Sequence, residues 1–460
     1  MTALARWAVA LAAALPLLAA PARAQDLLTV WRAAAEHDQR LAVARAEHGA
    51  SQTLREQAEA LWRPQIGLQL GLGVGVQDNA MRGAQFSAPG LGTVDEARFA
   101  TSVRGGLATR VGVQAQQPLV NPGREAQQAQ LRGAADMGDT AWRAAQAEFM
   151  LRTAKSYFAL AVADERVRVT RRQLDTVGRS RTEAHDRYEL GAAAITDTHE
   201  ADAALAGVRA QSAAAELDAR VRREQLAGST GLAQPSARLP GAWADAASPE
   251  LQQWLLLADA DNPRLRLLSQ AVTLAEQKQR EKDAASRPTL DLVAQAAHQR
   301  IAGHGHYGSA RSRGLDALVG VQVNIPLYTG GLLSAQEREA AERTRQARAE
   351  LELAREEVRQ QVHAAWQGLQ VRAAQVQALQ EALVAQRARR DATRLGLEVG
   401  DRTTLDLLNA DNDLAGAELA LALAQVDRVL TGLQLALLAD RLDEALLARI
   451  NASLLPEGQP

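Results

Sequence analysis

The chain has 460 residues, with 52 basic and 54 acidic side chains, no Cys and a formal charge of -2. The lack of Cys excludes disulfides, thiolate metal sites, Cys nucleophiles and a Cys-linked lipid anchor, and near neutrality gives no electrostatic case for nucleic-acid binding. Hydrophobic residues make up 47% of the chain but aromatics only 3%, so alanine carries much of the apolar content, which suits long, closely packed helices.

At the N-terminus Arg6 precedes an apolar run over residues 7–20, and Ala22 and Ala24 form an A-x-A arrangement. This predicts a secretory signal peptide over residues 1–24, cut between Ala24 and Gln25, with an uncleaved anchor as the alternative. No later stretch holds ~18 consecutive apolar residues, so no membrane helix is expected and any embedding must use β-strands. A helical segment is expected over 27–62. From Ile66 to Val76 every even position is apolar (Ile66, Leu68, Leu70, Leu72, Val74, Val76) and every odd one is Gly or Gln, which is the period of a β-strand, placed at about 65–77. A second strand is expected at about 107–117, with Leu107, Val111 and Val113 opposite Arg110, Gln114 and Gln116. The polar stretch of about 78–106 between them is expected to be an external loop. Residues 124–188 lack Pro and read as one long helix, followed by another over 197–227. Pro235, Pro240 and Pro249 mark a linker at 228–249.

The pattern then recurs: helix over 250–285, strands at about 289–297 and 315–326, helices over 332–396 and 405–440, and a tail over 441–460. Arg63-Pro64 matches Arg287-Pro288, Val111-Gly112-Val113-Gln114 matches Val319-Gly320-Val321-Gln322, and Gly191, Asp197 and Asp202 match Gly400, Asp406 and Asp411, in one order. The chain is therefore an internal duplication, with repeats at 25–227 and 250–440. Leu131, Ala135, Gly138, Trp142, Ala145 and Phe149 follow 4-3-4-3-4 spacing, as do Val362, Trp366, Leu369, Ala373 and Val376, so the long helices carry coiled-coil seams.

An ordinary soluble sheet also alternates, with its apolar face on a core. The same pattern fits an apolar-out, polar-in membrane barrel, and ~12 residues at ~3.3 Å each, tilted ~45°, span about a bilayer's hydrocarbon core. The signal peptide favours the second reading. Four strands cannot close a barrel, and open edges in lipid cost several kcal/mol per unpaired group, so several chains must pool their strands; three would supply ~12. The fold class is thus an α+β membrane protein: a homotrimeric 12-stranded β-barrel, four strands per chain, continued by a long antiparallel coiled-coil α-helical barrel.

The duplication, Trp62-Arg63-Pro64 and Arg287-Pro288 leading into strands, and Pro326-Leu327-Tyr328-Thr329-Gly330-Gly331 leaving one make the chain resemble the TolC family of outer-membrane efflux and secretion ducts. The resemblance covers essentially the whole mature chain. It implies a homotrimer in the Gram-negative outer membrane with a periplasmic tunnel, docked through a periplasmic adaptor (membrane fusion) protein to an inner-membrane ABC or proton-driven transporter. It also implies a closed tunnel tip at two turns, 187–197 and 397–406. Gly191 and Gly400 are expected to end helices there, and the Asp residues that follow fit the first turn of the next helix as simple caps. On the resemblance, Asp197 and Arg402 match a charged lock between neighbouring helices and Asp406 an acidic ring. Leu397 stands where a lock Tyr is expected and Asn409 where a second acid is expected, which implies a weaker lock and a less negative ring.

His304-Gly305-His306-Tyr307 is a weak metal pattern in the second external loop, more simply a solvated loop. No catalytic constellation, metal site or cofactor site stands out, and no cofactor is expected. Type I protein secretion or general efflux is the expected function, since Gln25 is not the Cys of a lipoprotein. Multidrug or metal efflux is the alternative, and a surface coiled-coil structural protein is the remote one.

Overall fold

The structure, a computed structural model, describes residues 26–90, 92–241, 250–306 and 308–455. The expected signal peptide and its Ala24–Gln25 cleavage site lie outside the described residues, as does Tyr307.

The first half runs α1 (Leu27–His37), α2 (Gln39–Ala60), β1 (Gln65–Ala88), β2 (Gly92–Val120), α3 (Pro122–Glu189) and α4 (Ile195–Thr230). The same order follows in α5 (Leu251–Asp261), α6 (Pro263–Ala284), β3 (Thr289–Gly305), β4 (Gly308–Asn324), α7 (Leu332–Glu398) and α8 (Thr404–Leu438), before a short α9 (Glu444–Ala452). Each single helix expected at 27–62 and 250–285 is two. The break has one cause in both repeats: the Asp38 carboxylate accepts from the Leu41 N–H at 2.8 Å, and the Asn262 side-chain oxygen accepts from Leu265 at 3.1 Å, so each caps a new helix, and Pro263 fits the first position of α6.

By packing, the described chain divides into two compact units. One draws on the chain up to Gly49, Gly138–Ser269 and Glu350 onward. Its main core joins Leu27 and Val30 of α1, Tyr157, Phe158 and Leu160 of α3, Leu226 of α4, Leu433 of α8 and Leu447 and Ile450 of α9. Here the sequence reading needs correction. Residues 228–230 complete α4, and the following stretch is docked rather than free: Leu232, Ala237 and Leu239 pack on this core, Pro240 bridges Leu454, and Leu455 N–H donates to Leu239 at 3.0 Å. The tail holds α9, capped by Asp443. Within α8, the most apolar 18 residues reach a mean hydropathy of 1.4, long and apolar enough to cross a membrane, yet 44% of that window is buried inside the chain.

The other unit comprises Ala50–Met137 and Gln270–Ala349. It holds one antiparallel sheet in the order β1-β2-β3-β4. The strands are longer than expected, because the stretch read as an external loop over 78–106 continues the first hairpin as far as the Ala88–Gly92 pair. Likewise His304 and Gly305 end β3 rather than forming a broad loop. Backbone pairing supplied this extension: the paired residues beyond 77 mix polar and apolar side chains and carry β-bulges, so they lack the alternation by which a strand is read. The β2–β3 pairing, with Val113 opposite Ala296, joins the two hairpins.

Candidate functional site: an uncovered apolar band and two helix tips

Opposed residues in an antiparallel pair share a face. Rows therefore cross the sheet: Ile66–Ala115–Ala294–Val319, Leu68–Val113–Ala296–Ala317, and Leu70–Val111–His298–Leu315. Every member of the β1 series from Ile66 to Val76 is 65–78% exposed, and the large side chains that continue the band on β2 and β4 are exposed as well. The opposite face carries Gln69, Gly112 and Asp316 in one row and Gln114 and Gln295 in another, and there Ala297, Ile301 and Val103 are buried. The apolar face is thus the uncovered one, and a soluble sheet would have the reverse.

The two tips share one backbone device. At the end of α3 the Ala192 N–H donates to Arg187 at 2.7 Å and Gly191 N–H to Tyr188 at 2.9 Å, with Gly191 at φ 67°. At the end of α7 the Asp401 N–H donates to Gly396 at 2.8 Å and Gly400 N–H to Leu397 at 3.2 Å, with Gly400 at φ 82°. Both are Schellman motifs, and the left-handed residue is why glycine stands at each. The helices that follow start differently. Thr403 and Asp406 form a reciprocal capping box, with Thr403 N–H donating to the Asp406 carboxylate at 3.0 Å and Asp406 N–H to the Thr403 hydroxyl at 3.1 Å. These two bonds, with Arg402 and Arg389 nearby, hold the Asp406 carboxyl below its ordinary value. The matching residue in the first repeat is Ala194, which offers no side-chain cap, so Asp197 stands in the first turn of α4 with only its backbone engaged.

Among the described residues neither Asp197 nor Arg402 forms an ion pair within the chain. Arg402 folds over Gly396, where a Cβ would come within 2.6 Å of its Cγ. Asn409 is exposed, and Leu397 is buried. Behind the tips, Val177 and Ala184 of α3, Ala201 and Val208 of α4 and Leu408 of α8 form one cluster. Arg181 pairs with Asp202 at 2.9 Å, tying α3 to α4 near their joined ends, and Arg389–Asp413 at 2.7 Å together with Arg390–Asp411 at 3.9 Å ties α7 to α8 in the same way. Asp411 is buried with one carboxylate oxygen lacking a hydrogen bond, and burial pushes its carboxyl up. The sequence gives no sign of the capping asymmetry until the two repeats are superposed at the tips. No group of three or more His, Asp or Glu side chains able to hold a metal occurs among the described residues, His304 and His306 included.

A family model described as outer membrane efflux protein matches residues 30–232 and 254–439. The chain belongs to that family. Family membership fixes an outer-membrane location in a Gram-negative cell and the role of a passive exit duct for efflux or secretion, which is a transport function and not an enzymatic one. The outer membrane protein TolC of Vibrio cholerae is 27% identical over 96% of this chain and 97% of its own length. The outer membrane efflux protein BepC of Brucella suis is 33% identical over 58% of this chain, a match that spans 54% of BepC. The alkaline protease secretion protein AprF of Pseudomonas aeruginosa is 27% identical over 70% of this chain and 68% of its own. Among solved structures, CusC superposes with a TM-score of 0.71 at 15% identity over 93% of this chain and 95% of that one, and the channel OprN with 0.70 at 18% identity over 91% and 93%. These carry the fold.

Proposed function

We propose that three copies of the chain pool their sheets into one 12-stranded barrel, with Ile66, Leu68, Leu70, Leu72, Val74 and Val76 facing lipid, and that the helices continue it as a periplasmic tunnel. The observation that carries this is the slant of the apolar band. In register, Ile66 of β1 lies across from Val319 of β4, yet the band on β4 runs four residues further, to Val323; at the other edge Val74 falls in the row of Arg311, with Val76 still beyond it, yet the band on β4 stops four residues short of that row, at Leu315. Four residues at ~3.3 Å, taken over three strand spacings of ~4.8 Å, give a strand tilt of about 43° for a level band. That is close to the ~35–45° of membrane barrels. A flat soluble sheet has no reason for a band slanted equally at both edges. The free edges of β1 and β4, each paired on one side, supply the joints between protomers.

In this assembly each tip occurs three times. Asp197 and Arg402, without an ion pair among the described residues, are the groups left to pair with a neighbouring helix, Asp406 and Asn409 line the aperture, and Gly191 and Gly400 shape its turns. An exposed pair is worth only ~0–1 kcal/mol, so closure draws on the threefold repetition. The chain works with a periplasmic adaptor and an inner-membrane transporter in a tripartite exporter. Secretion of proteins by the type I route is supported by the names of AprF and of the proteases secretion protein PrtF of Dickeya chrysanthemi, 31% identical over 37% of this chain. Multidrug or metal efflux is the second reading, and the name of the outer membrane efflux protein BepC supports efflux. The chain is read as a signal peptide at 1–24 and repeats at 25–227 and 250–440, joined through the docked stretch that follows α4, with a tail at 441–460. Native mass spectrometry of the detergent-extracted protein tests the assembly: three chains are expected, and a stable water-soluble monomer refutes it. Deleting the gene separates the two substrates, since a lost secreted protein and a gained drug sensitivity are different readouts.

A further inference from the structure

The face that carries the apolar band changes character at one end. Beyond the Leu70–Val111–His298–Leu315 row, Arg300 of β3 stands directly opposite Arg313 of β4; one row on, Arg311 is opposite Ala302; in the next, Arg104 of β2 is opposite His304. All four arginines are exposed. None of them forms an ion pair among the described residues, and the one recorded partner is His298, whose Nε2 accepts from Arg300 Nε at 2.9 Å. On that face the carboxylate nearest in register is Asp78, across from Ser102, two residues along β2 from Arg104.

Like charges directly opposite each other in a sheet, ~4.5–5.5 Å apart, destabilise it, and no carboxylate among the described residues pairs with Arg300 or Arg313. The arginines do not lie in the middle of the band. They start one row past its last apolar residues on β2 and β4, at the end of the sheet that holds the hairpin turns. The helices all join the strands at the other end, through Ala60 to Gln65, Val120 to Pro122, Ala284 to Thr289 and Asn324 to Leu332. In the proposed barrel, on which this inference rests, the arginines therefore form a belt at the outer rim, level with the headgroups of the external leaflet. In a Gram-negative outer membrane that leaflet is built from glycolipid with phosphorylated sugars. A guanidinium presents parallel N–H donors that match phosphate oxygens two at a time.

We infer that Arg104, Arg300, Arg311 and Arg313 bind the phosphate groups of the outer-leaflet glycolipid, so that each protomer carries a lipid site on its outer wall. The belt satisfies two needs at once: the phosphates neutralise a cross-strand pair that is repulsive alone, and they fix the height of the barrel in the leaflet.

The test uses the full-length assembly in detergent and in vesicles. It is titrated with bisphosphorylated lipid A, with the same lipid after enzymatic dephosphorylation, and with inorganic phosphate, and binding is read by native mass spectrometry and thermal shift. Saturable binding of the bisphosphorylated lipid is expected, weaker by roughly tenfold or more without its phosphates. Inorganic phosphate alone is expected to give no thermal shift; an equal shift from it overturns the lipid assignment. The Arg300→Gln/Arg313→Gln variant should lose roughly tenfold or more in lipid A affinity. In lipid-free detergent it should be at least as stable as the parent, because a repulsive pair has gone. Unchanged affinity in that variant overturns the proposal. If it does not assemble, Arg104→Gln/Arg311→Gln answers the same question without touching the opposed pair. Entry of the parent into vesicles with no preference for phosphorylated lipid overturns the belt alone, whereas failure to enter any vesicle overturns the barrel beneath it.

Discussion

Replacing Leu70 with Arg separates a lipid-facing band from the apolar face of a soluble sheet. Leu70 stands two alternations from the lower end of the β1 series at Ile66 and three from its upper end at Val76, so it lies near mid-membrane. It is 72% exposed and its register neighbour is Val111, so a longer side chain meets no steric obstacle within the chain. Any cost then comes from moving a charge into hydrocarbon, ~2–4 kcal/mol at the midplane and ~0–1 kcal/mol near the interface. With three copies in the proposed trimer the penalty is about 6–12 kcal/mol for the assembly. Two controls calibrate it. Val76→Arg lies at the rim and should cost ~0–1 kcal/mol per chain. Gln69→Arg points to the polar face, opposite Gly112, and should cost little. Equilibrium folding into lipid vesicles, followed by denaturant titration and by heat-modifiable migration on gels, reports all three. Equal costs at positions 69 and 70 would refute the outward assignment of the band.

At the aperture, removing both Asp197 and Arg402 as Ala should raise ion leakage through the reconstituted channel, and Asp406→Asn should lower its cation preference; unchanged conductance and reversal potential remove these roles. Thr403→Ala breaks the capping box and should lower the local stability of α8 by ~1 kcal/mol, while Ala194→Thr should stabilise α4 by a similar ~0.5–1 kcal/mol, both read by hydrogen exchange at the tips. Because the Asp406 carboxyl is held below its ordinary value of 3.8, its contribution is present above that pH and is lost as pH falls through the lower folded value; Thr403→Ala should flatten this acid-side dependence. Tyr157 is fully buried, its hydroxyl accepts from the Arg238 N–H at 3.0 Å, and burial pushes it up to about 12. Its neutral form is the one that folds, so stability should be intact below pH 10 and fall between pH 10 and about 12, and Tyr157→Phe should abolish that alkaline limb in thermal denaturation while costing ~0.5–1.5 kcal/mol near neutrality.

The sequence was legible wherever one period ran unbroken. The alternation from Ile66 to Val76 and from Leu315 to Val323 gave the strands and the direction of their apolar face, and the Pro-free stretches gave α3 and α7 to within two residues at each end. Legibility failed where a single local bond overrode the pattern. The helical period passes through Asp38 and Asn262 without interruption, but one side-chain oxygen at each stops one helix and starts the next. It failed again above the band, because the strands beyond residue 77, mixed in polarity and interrupted by bulges, are held by backbone pairing, which leaves no trace in side-chain order.

The chain's own order of residues thus determined the duplication, the strand and helix periods, and the excess of apolar side chains on one face, since these depend only on spacing. Tertiary structure alone decided which residues share a row. That register revealed the slant of the band and set Arg300 against Arg313, two residues that sequence places thirteen apart and the sheet brings face to face. Pairing partners come from hydrogen bonds between distant segments, and a one-residue slip would move every side chain to the other face, so no local pattern can carry that information.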